Sequence, residues 1–112
     1  MEKIRAVVFY KNYFLDFFKA QNPKVKEKIL WTIGLLEVLP YVPETYLKHL
    51  SGTNGLYEIR IQSGSDVYRV FCFFSGNKLI VALTGFQKKT QKTPPGEIKR
   101  ALKIKGEYEN ER

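Results

Sequence analysis

Two arginines and three lysines in the second half of the chain are the residues best suited to bind a phosphate. Arg60 and Arg69 lie on either side of a turn sequence, and Lys88, Lys89 and Lys92 follow in a polar run. Arginine binds phosphate through two parallel N–H bonds, whereas lysine supplies a point charge. Cleavage of an RNA phosphodiester by its own 2′-hydroxyl needs cations around the phosphorane and a group that moves a proton. These residue types therefore predict phosphate binding and are compatible with that reaction.

The group that would move the proton is left open by the sequence. A lysine could serve if crowding by other cations lowered its pKa. His49 is the single histidine, but no neighbour in the sequence would orient it, so a surface histidine is the favoured interpretation. Glu58 has no partner carboxylate nearby, and Thr84 and Thr90 are polar candidates without a defined role. No Cys/His metal set or phosphate-binding glycine loop is present, so we expect neither a metal nor a cofactor.

Three predicted β-strands must position the arginines, because three segments are rich in β-branched and aromatic residues. Segments 63–66 and 75–78 between them have the composition of tight turns. Symmetric turns there place Arg60 opposite Arg69, and Arg69 opposite Thr84. The predicted strands are residues 56–62, 67–74 and 79–86.

Two arginines directly opposite each other in a sheet repel. A bound anion would turn that repulsion into attraction. If Arg69 serves to hold such an anion, its removal would relieve the repulsion and leave the sheet as stable as before or slightly more so, whereas a structural Arg69 would destabilise the sheet when removed. The alternative is that Glu58 pairs with one arginine while the other is solvated.

Alternation along these strands divides the residues into two surfaces. The apolar surface is expected to face the core and the other to carry the functional groups. The expected core face comprises Tyr57, Ile59, Ile61, Tyr68, Val70, Cys72, Phe74, Leu79, Val81 and Leu83. The expected functional face comprises Glu58, Arg60, Gln62, Arg69, Phe71, Phe73, Ile80, Ala82 and Thr84.

The rest of the chain predicts an edge strand over 4–10, two helices, a loop over 41–54 and a terminal helix. Asn12 and Asn22-Pro23 are start signals for the first two helices, and Pro40 ends the second. Thr93 is expected to cap the terminal helix with Pro94 at its first position, and residues 107–112 are expected to be frayed. The prediction is one α+β domain over residues 1–112, with a three-stranded antiparallel meander at its centre.

Positive charge is concentrated near the end of the chain. The formal net charge is +8, and residues 78–105 contain eight basic residues against one acid, Glu97. Such a block predicts a polyanionic partner, and nucleic acid is favoured over a membrane because no apolar stripe accompanies the charge. No apolar run is long enough for a membrane span, no signal peptide is recognisable and Cys72 is the single cysteine, so a cytoplasmic location is expected. The predicted RNA-binding residues are Lys92, Lys99, Arg100 and Lys103.

Several motifs together resemble the RelE superfamily of type II toxin–antitoxin toxins, in its HigB-like, phage-related branch. The order of predicted elements agrees as well, so the resemblance spans nearly the whole chain. The motifs are GLYEIR at 55–60, YRVF at 68–71, TGFQKKTQKTP at 84–94 and EIKRA at 97–101.

The resemblance implies a metal-independent, ribosome-dependent mRNA endoribonuclease. It implies that a cognate helix-turn-helix antitoxin neutralises this toxin in a hetero-oligomer. Arg69 matches the family arginine that contacts the scissile phosphate, and Arg60 stands where relatives carry a catalytic lysine. Glu58 replaces another basic residue of those relatives. Lys88 and Lys89 begin a run where relatives place a further catalytic arginine, and no tyrosine matches the family's C-terminal one.

Two other functions stay open at this point. The first is a non-catalytic RNA- or ribosome-binding protein that blocks translation by occupancy, which the missing general base favours. The second is that the basic block mainly docks an acidic protein partner. Mapping of mRNA 5′ ends after induced expression would separate cutting from blocking.

Overall fold

A single mixed sheet with helices on both faces organises the part of the chain that the structure describes, residues 2–111 of a computed structural model. The strand order is β1-β5-β4-β3-β2, in which β1 pairs parallel with β5 and the other pairs are antiparallel. The predicted α+β class is confirmed. The elements are β1 Ala6–Phe9, α1 Tyr13–Lys19, α2 Pro23–Val38, β2 Leu47–His49, β3 Tyr57–Ser63, β4 Asp66–Phe74, β5 Leu79–Lys88 and α3 Pro95–Asn110.

The hairpin between β3 and β4 has the predicted register. Ser63 pairs with Asp66, and Gly64 adopts a φ of +61° that a two-residue turn readily uses. This turn places Arg60 directly opposite Arg69. The arginine pair is therefore confirmed as a feature of the sheet.

The register between β4 and β5 differs from the prediction, which placed Arg69 opposite Thr84. The turn has three residues, since Ser75 N–H donates to Leu79 O at 2.8 Å, and this shifts the pairing by one. A bulge shifts it again, because the pairs on either side of Phe71 leave both Leu83 and Thr84 opposite that one residue. Arg69 consequently pairs with Phe86.

The altered register exchanges the two faces of β5 over the residues before the bulge. A one-residue slip moves every side chain of a strand to the opposite face. Val81 and Leu83, expected with the β3 and β4 core residues, instead join Phe71, Phe73 and α3 in a second core. Ile80 and Ala82 occupy the core-face positions that were expected for Val81 and Leu83. The first core, under α1 and α2, contains Phe14, Val25, Ile29, Ile33, Leu36, Leu47, Ile59, Ile61, Tyr68, Val70, Cys72, Ile80 and Ala82.

The expected functional face is therefore half core. Ala101 and Ile104 of α3 cover Phe71 and Phe73, which are 0% and 5% exposed. Burial of these aromatic rings stabilises the docking of α3 through apolar surface removed from water. Only the part of the face that α3 leaves uncovered, around the arginine pair, remains available to a ligand.

Smaller expectations were wrong at element ends. Residues 47–49 form β2 rather than loop, because their backbone pairs with β3. Asn22 caps α2 as predicted, accepting from Val25 N–H at 2.9 Å, whereas the side chain of Asn12 makes no cap bond. At α3 the cap position is occupied by Pro94 rather than Thr93, and the helix continues to Asn110 instead of fraying from residue 107.

No helix within residues 2–111 is long and apolar enough to cross a membrane.

Candidate phosphate-binding site

Arg60 lies on β3 just past the end of β2, where the edge of the sheet opens. Its N–H donates to Tyr46 O at 2.8 Å, and its Nη1 reaches Glu44 O at 3.4 Å. These contacts anchor the residue to the segment before β2. The residue is only partly buried and lines an open groove, so it remains accessible to an anion.

Arg69, opposite Arg60 on β4, is buried to an unusual degree for an arginine. It is 7% exposed, and its Nη1 donates to Tyr68 O at 3.1 Å. Burial lowers the pKa of Arg69, and the charge of Arg60 lowers it further, while Glu58 raises it. The guanidinium still stays protonated at any physiological pH. The protein thus holds a desolvated positive charge beside a second one.

Glu58 supplies a partial counter-charge. It is 3% exposed, and its Oε1 lies 3.8 Å from Arg69 Nε, too far for a hydrogen bond. Within residues 2–111, Arg69 Nε accordingly has no hydrogen-bond partner. Glu58 Oε2 accepts a hydrogen bond from the Thr93 hydroxyl at 2.8 Å. Both halves of the alternative drawn from the sequence are therefore present: Glu58 pairs with Arg69, and Arg60 is partly solvated.

Two open grooves meet at Arg69. We call the first the arginine groove; it lies at the open edge of β3 and is lined by Lys28, Thr32, Thr45, Tyr46, Arg60, Ile61, Gln62, Val67 and Arg69. We call the second the lysine groove; it is lined by Ser65, Asp66, Val67, Arg69, Gln87, Lys88, Lys89, Thr90 and Gln91. Arg69 thus joins two grooves whose other cations are Lys28 and Arg60 on one side and Lys88 and Lys89 on the other. An extended polyanion fits this arrangement better than a single small anion, because the cations follow a path.

The structure separates the other predicted RNA-binding residues from this junction. Lys92 is exposed in the turn after β5, where the Thr90 hydroxyl donates to Lys92 O at 2.7 Å. Lys99 and Lys103 are exposed on α3 and line neither groove. Their role in RNA binding stays a prediction.

Arg100 and Thr84 form a contact of their own. Arg100 Nη1 donates to Thr84 Oγ1 at 2.9 Å, and its guanidinium lies 5.8 Å from the centre of the Tyr13 ring. Thr84 is 1% exposed. This contact ties α3 to β5 and α1, and neither residue lines the arginine pair's two grooves.

His49 is on the wrong face of the sheet to act with the arginines. It pairs with Tyr57 across β2 and β3, and the two rings lie 5.1 Å apart. Tyr57 packs against the first core, whereas Glu58 and Arg60 alternate to the other face. The favoured interpretation, an exposed surface histidine, agrees with this position.

Two residues of the site were missed from the sequence. Thr93 was expected to cap a helix, but it bonds to a carboxylate that is 35 residues away in the chain. Lys28 was not among the candidate residues, but it lines the arginine groove. Hydrophobic periodicity places Lys28 on the outer side of α2 and contains no information about which edge of the sheet that side borders. Among residues 2–111, no cluster of three or more His, Cys, Asp or Glu could hold a metal ion.

Comparisons with known proteins agree with this fold. Residues 16–105 match the family described as phage-derived protein Gp49-like, and the chain belongs to that family. Its fold is similar to a chain in the crystal structure of the archaeal RelE–RelB complex from Pyrococcus horikoshii OT3. The match has a TM-score of 0.57 and 22% identity, and it covers 77% of this chain and 97% of the other. No curated protein sequence matches the chain. The predicted membership of the RelE superfamily is confirmed.

Proposed function

We propose that this protein is the toxin of a type II toxin–antitoxin system and inhibits translation by cutting mRNA. The observation that carries the proposal is the Arg60–Arg69 pair, in which a buried guanidinium faces a second arginine across two strands. Such a pair is costly without an anion and favourable around one. The cation-lined grooves on both sides suit a polynucleotide, and membership of the RelE superfamily supports the toxin assignment.

The reaction that suits these residues is transesterification within RNA. The ribose 2′-oxygen forms a bond to phosphorus while the bond from phosphorus to the 5′-oxygen breaks. The 2′-hydroxyl proton leaves to a base, and the 5′-oxygen takes up a proton, so the products are a 2′,3′-cyclic phosphate and a 5′-hydroxyl. Arg69 and Arg60 would stabilise the extra charge on the phosphorane, with Lys88 and Lys89 holding the adjoining backbone. Glu58 would hold Arg69 in place, since its burial keeps it from the substrate.

One observation favours a second candidate function, a non-catalytic blocker of translation. The arginine pair shares its open surface with lysines, whereas His49 lies on the other face and Glu58 is buried. A protein with cations but no proton-transfer group would bind mRNA or the ribosomal A site without cutting. Cleavage products therefore decide between the two candidates.

The proposed partners are the ribosome with its mRNA and a cognate antitoxin. The similar archaeal RelE was crystallised in complex with RelB, which supports an antitoxin partner here. That the antitoxin is a helix-turn-helix protein, that this toxin is HigB-like and that it acts in the cytoplasm are parts of the same proposal. An antitoxin would neutralise the toxin by covering the arginine pair or by making it too large for the A site.

The test is induced expression with mapping of mRNA 5′ ends, using Arg60→Ala beside Lys78→Ala. Arg60 is only partly buried, so its loss leaves the sheet intact, and Lys78 is an exposed lysine in the turn between β4 and β5. We expect new 5′ ends with the parent and with Lys78→Ala, and a loss of about 100-fold with Arg60→Ala. Growth arrest without new 5′ ends would establish the blocker instead. Unchanged cleavage by Arg60→Ala would overturn the proposed site.

A further inference from the structure

Trp31, the single tryptophan of the chain, is unusually open to solvent. It lies on α2 and is 47% exposed. Tyr46 contacts it edge-on, with ring centres 5.7 Å apart at 77°, and Lys28 Nζ lies 4.2 Å from the centre of its ring. The indole is thus held in a defined place without being buried in a core. A large aromatic ring that is fixed and solvent-exposed is a common means of binding another flat ring.

This indole borders a groove that continues the arginine groove. We call it the tryptophan groove; it is lined by Lys24, Glu27, Lys28, Trp31, Gln62, Ser63 and Gly64. Lys28 and Gln62 line both grooves, so they are contiguous. The tryptophan groove contains two lysines against the carboxylate of Glu27. Positive charge therefore extends from the arginine pair to the indole.

We propose that Trp31 is a stacking platform for an unpaired base of the RNA whose phosphate binds between Arg60 and Arg69. Lys28 would then move from the indole toward the RNA backbone and bind a neighbouring phosphate. The inference rests on the proposed function and adds a nucleobase subsite to it. Proteins hold single-stranded nucleic acid without base-specific hydrogen bonds by alternating aromatic faces with cations. The platform accordingly predicts little preference among the four bases.

Leu30 provides the internal control. It is 56% exposed and adjacent to Trp31 on α2, yet it does not line the tryptophan groove. An apolar protein partner docking on this part of α2 would contact Leu30 as well as Trp31. A base stacked in the groove would contact Trp31 alone.

The single tryptophan makes the test direct, because a stacked base quenches indole fluorescence. The probe is a hexamer of 2′-O-methyl adenylate, in which the nucleophilic hydroxyl is blocked, and its control is an abasic hexamer with the same backbone charge. We expect the base-containing probe to quench Trp31 and the abasic one to bind more weakly without quenching. In binding followed by anisotropy of a labelled probe, Trp31→Ala should raise the Kd about tenfold. Trp31→Phe should retain most of the affinity, and Leu30→Ala should match the parent.

Several outcomes would overturn the platform. These are probe binding without quenching, equal quenching by the abasic control, or parental affinity in a folded Trp31→Ala protein. Equal losses in Leu30→Ala and Trp31→Ala would mean that the surface is a general apolar patch. If mRNA is still cut while Trp31 is not quenched, only the platform fails. If neither RNA binding nor cleavage is found, the proposed function fails with it.

Discussion

Thr93 donates a hydrogen bond of 2.8 Å to Glu58, the buried carboxylate that faces Arg69. This bond links the segment before α3 to β3, and the position of Arg69 depends on it through Glu58. Thr93 therefore acts on the candidate site without touching the substrate. It is a positioning residue in the proposed mechanism.

We expect Thr93→Val to reduce cleavage more than it reduces binding. The change keeps the shape of the side chain but leaves Glu58 Oε2 without this donor, at a cost of about 1–2 kcal/mol in unfolding free energy. Thr93→Ser, which retains the hydroxyl, should restore both. Cleavage on programmed ribosomes would be measured as kcat and KM, beside thermal unfolding. Parental kcat in Thr93→Val would show that the bond is only structural.

We expect Arg69→Ala to destabilise the protein, whereas an arginine that only holds a phosphate would leave its stability unchanged or slightly higher. Relief of repulsion from Arg60 is outweighed, because removing Arg69 leaves the carboxylate of Glu58 buried without its counter-charge. The ion pair is long, at 3.8 Å, so we expect a loss at the lower end for a broken buried pair, about 3 kcal/mol.

The double variant Glu58→Gln/Arg69→Ala separates folding from function. Neutralising the carboxylate should recover most of the stability, since no charge is left buried, while cleavage stays at least about 100-fold reduced. Arg69→Lys should also remain poorly active, because it cannot make two parallel bonds. Denaturant unfolding measures the stability of each variant, and mRNA cleavage measures its activity. A stable double variant that cleaves like the parent would remove Arg69 from the site.

We expect Gly85→Ala to be strongly destabilising, by about 1–3 kcal/mol. A Cβ at Gly85 would lie 2.6 Å from the Phe17 ring, and Phe17 packs against the first core. Gly106→Ala is the matched control, because it lies within α3 and, among the described residues, nothing is within 4 Å of its Cβ. That change should stabilise by about 0.5–1 kcal/mol. Equal effects of the two substitutions on the Tm would contradict the close packing of α1 against β5.

We expect Lys88→Ala/Lys89→Ala to weaken the salt dependence of RNA binding. Both lysines line the lysine groove, and removing one lysine that binds a phosphate should flatten the logarithmic slope by about one unit. Lys99→Ala/Lys103→Ala removes the same charge from the exposed face of α3 and tests whether that face contributes. Measuring affinity across salt concentrations distinguishes the two surfaces. An unchanged slope in the first double variant would exclude the lysine groove from the interface.

The thiol of Cys72 should be unreactive in the native protein. It is fully buried, and burial raises the pKa of this thiol. The pKa of the Cys72 thiol is therefore higher in the folded than in the unfolded protein. The thiol's contribution to the free energy of unfolding is present below about pH 8.5 and is lost as the pH rises. Labelling by iodoacetamide at about pH 8.5, near the ordinary thiol pKa, should require unfolding. Rapid labelling of folded protein would contradict the packing of the first core.

Sequence alone determined the features that local chemistry controls. The two-residue turn at Gly64 fixes the register of its own hairpin, so Arg60 and Arg69 could be paired without a structure. Asn22 followed by proline could be identified as a helix start for the same local reason. The concentration of positive charge near the end of the chain follows from counting basic and acidic residues. It predicts a polyanionic partner.

Tertiary structure alone decided what depends on distant parts of the chain. Turn composition does not distinguish two residues from three, and a bulge depends on packing, so Thr84 was misplaced beside Arg69. The bond from Thr93 to Glu58 and the approach of Lys28 to the arginine groove join segments whose separation in the sequence carries no signal. The burial of Arg69 follows from these contacts together, and it makes this arginine both a stabilising partner of Glu58 and the centre of the candidate site.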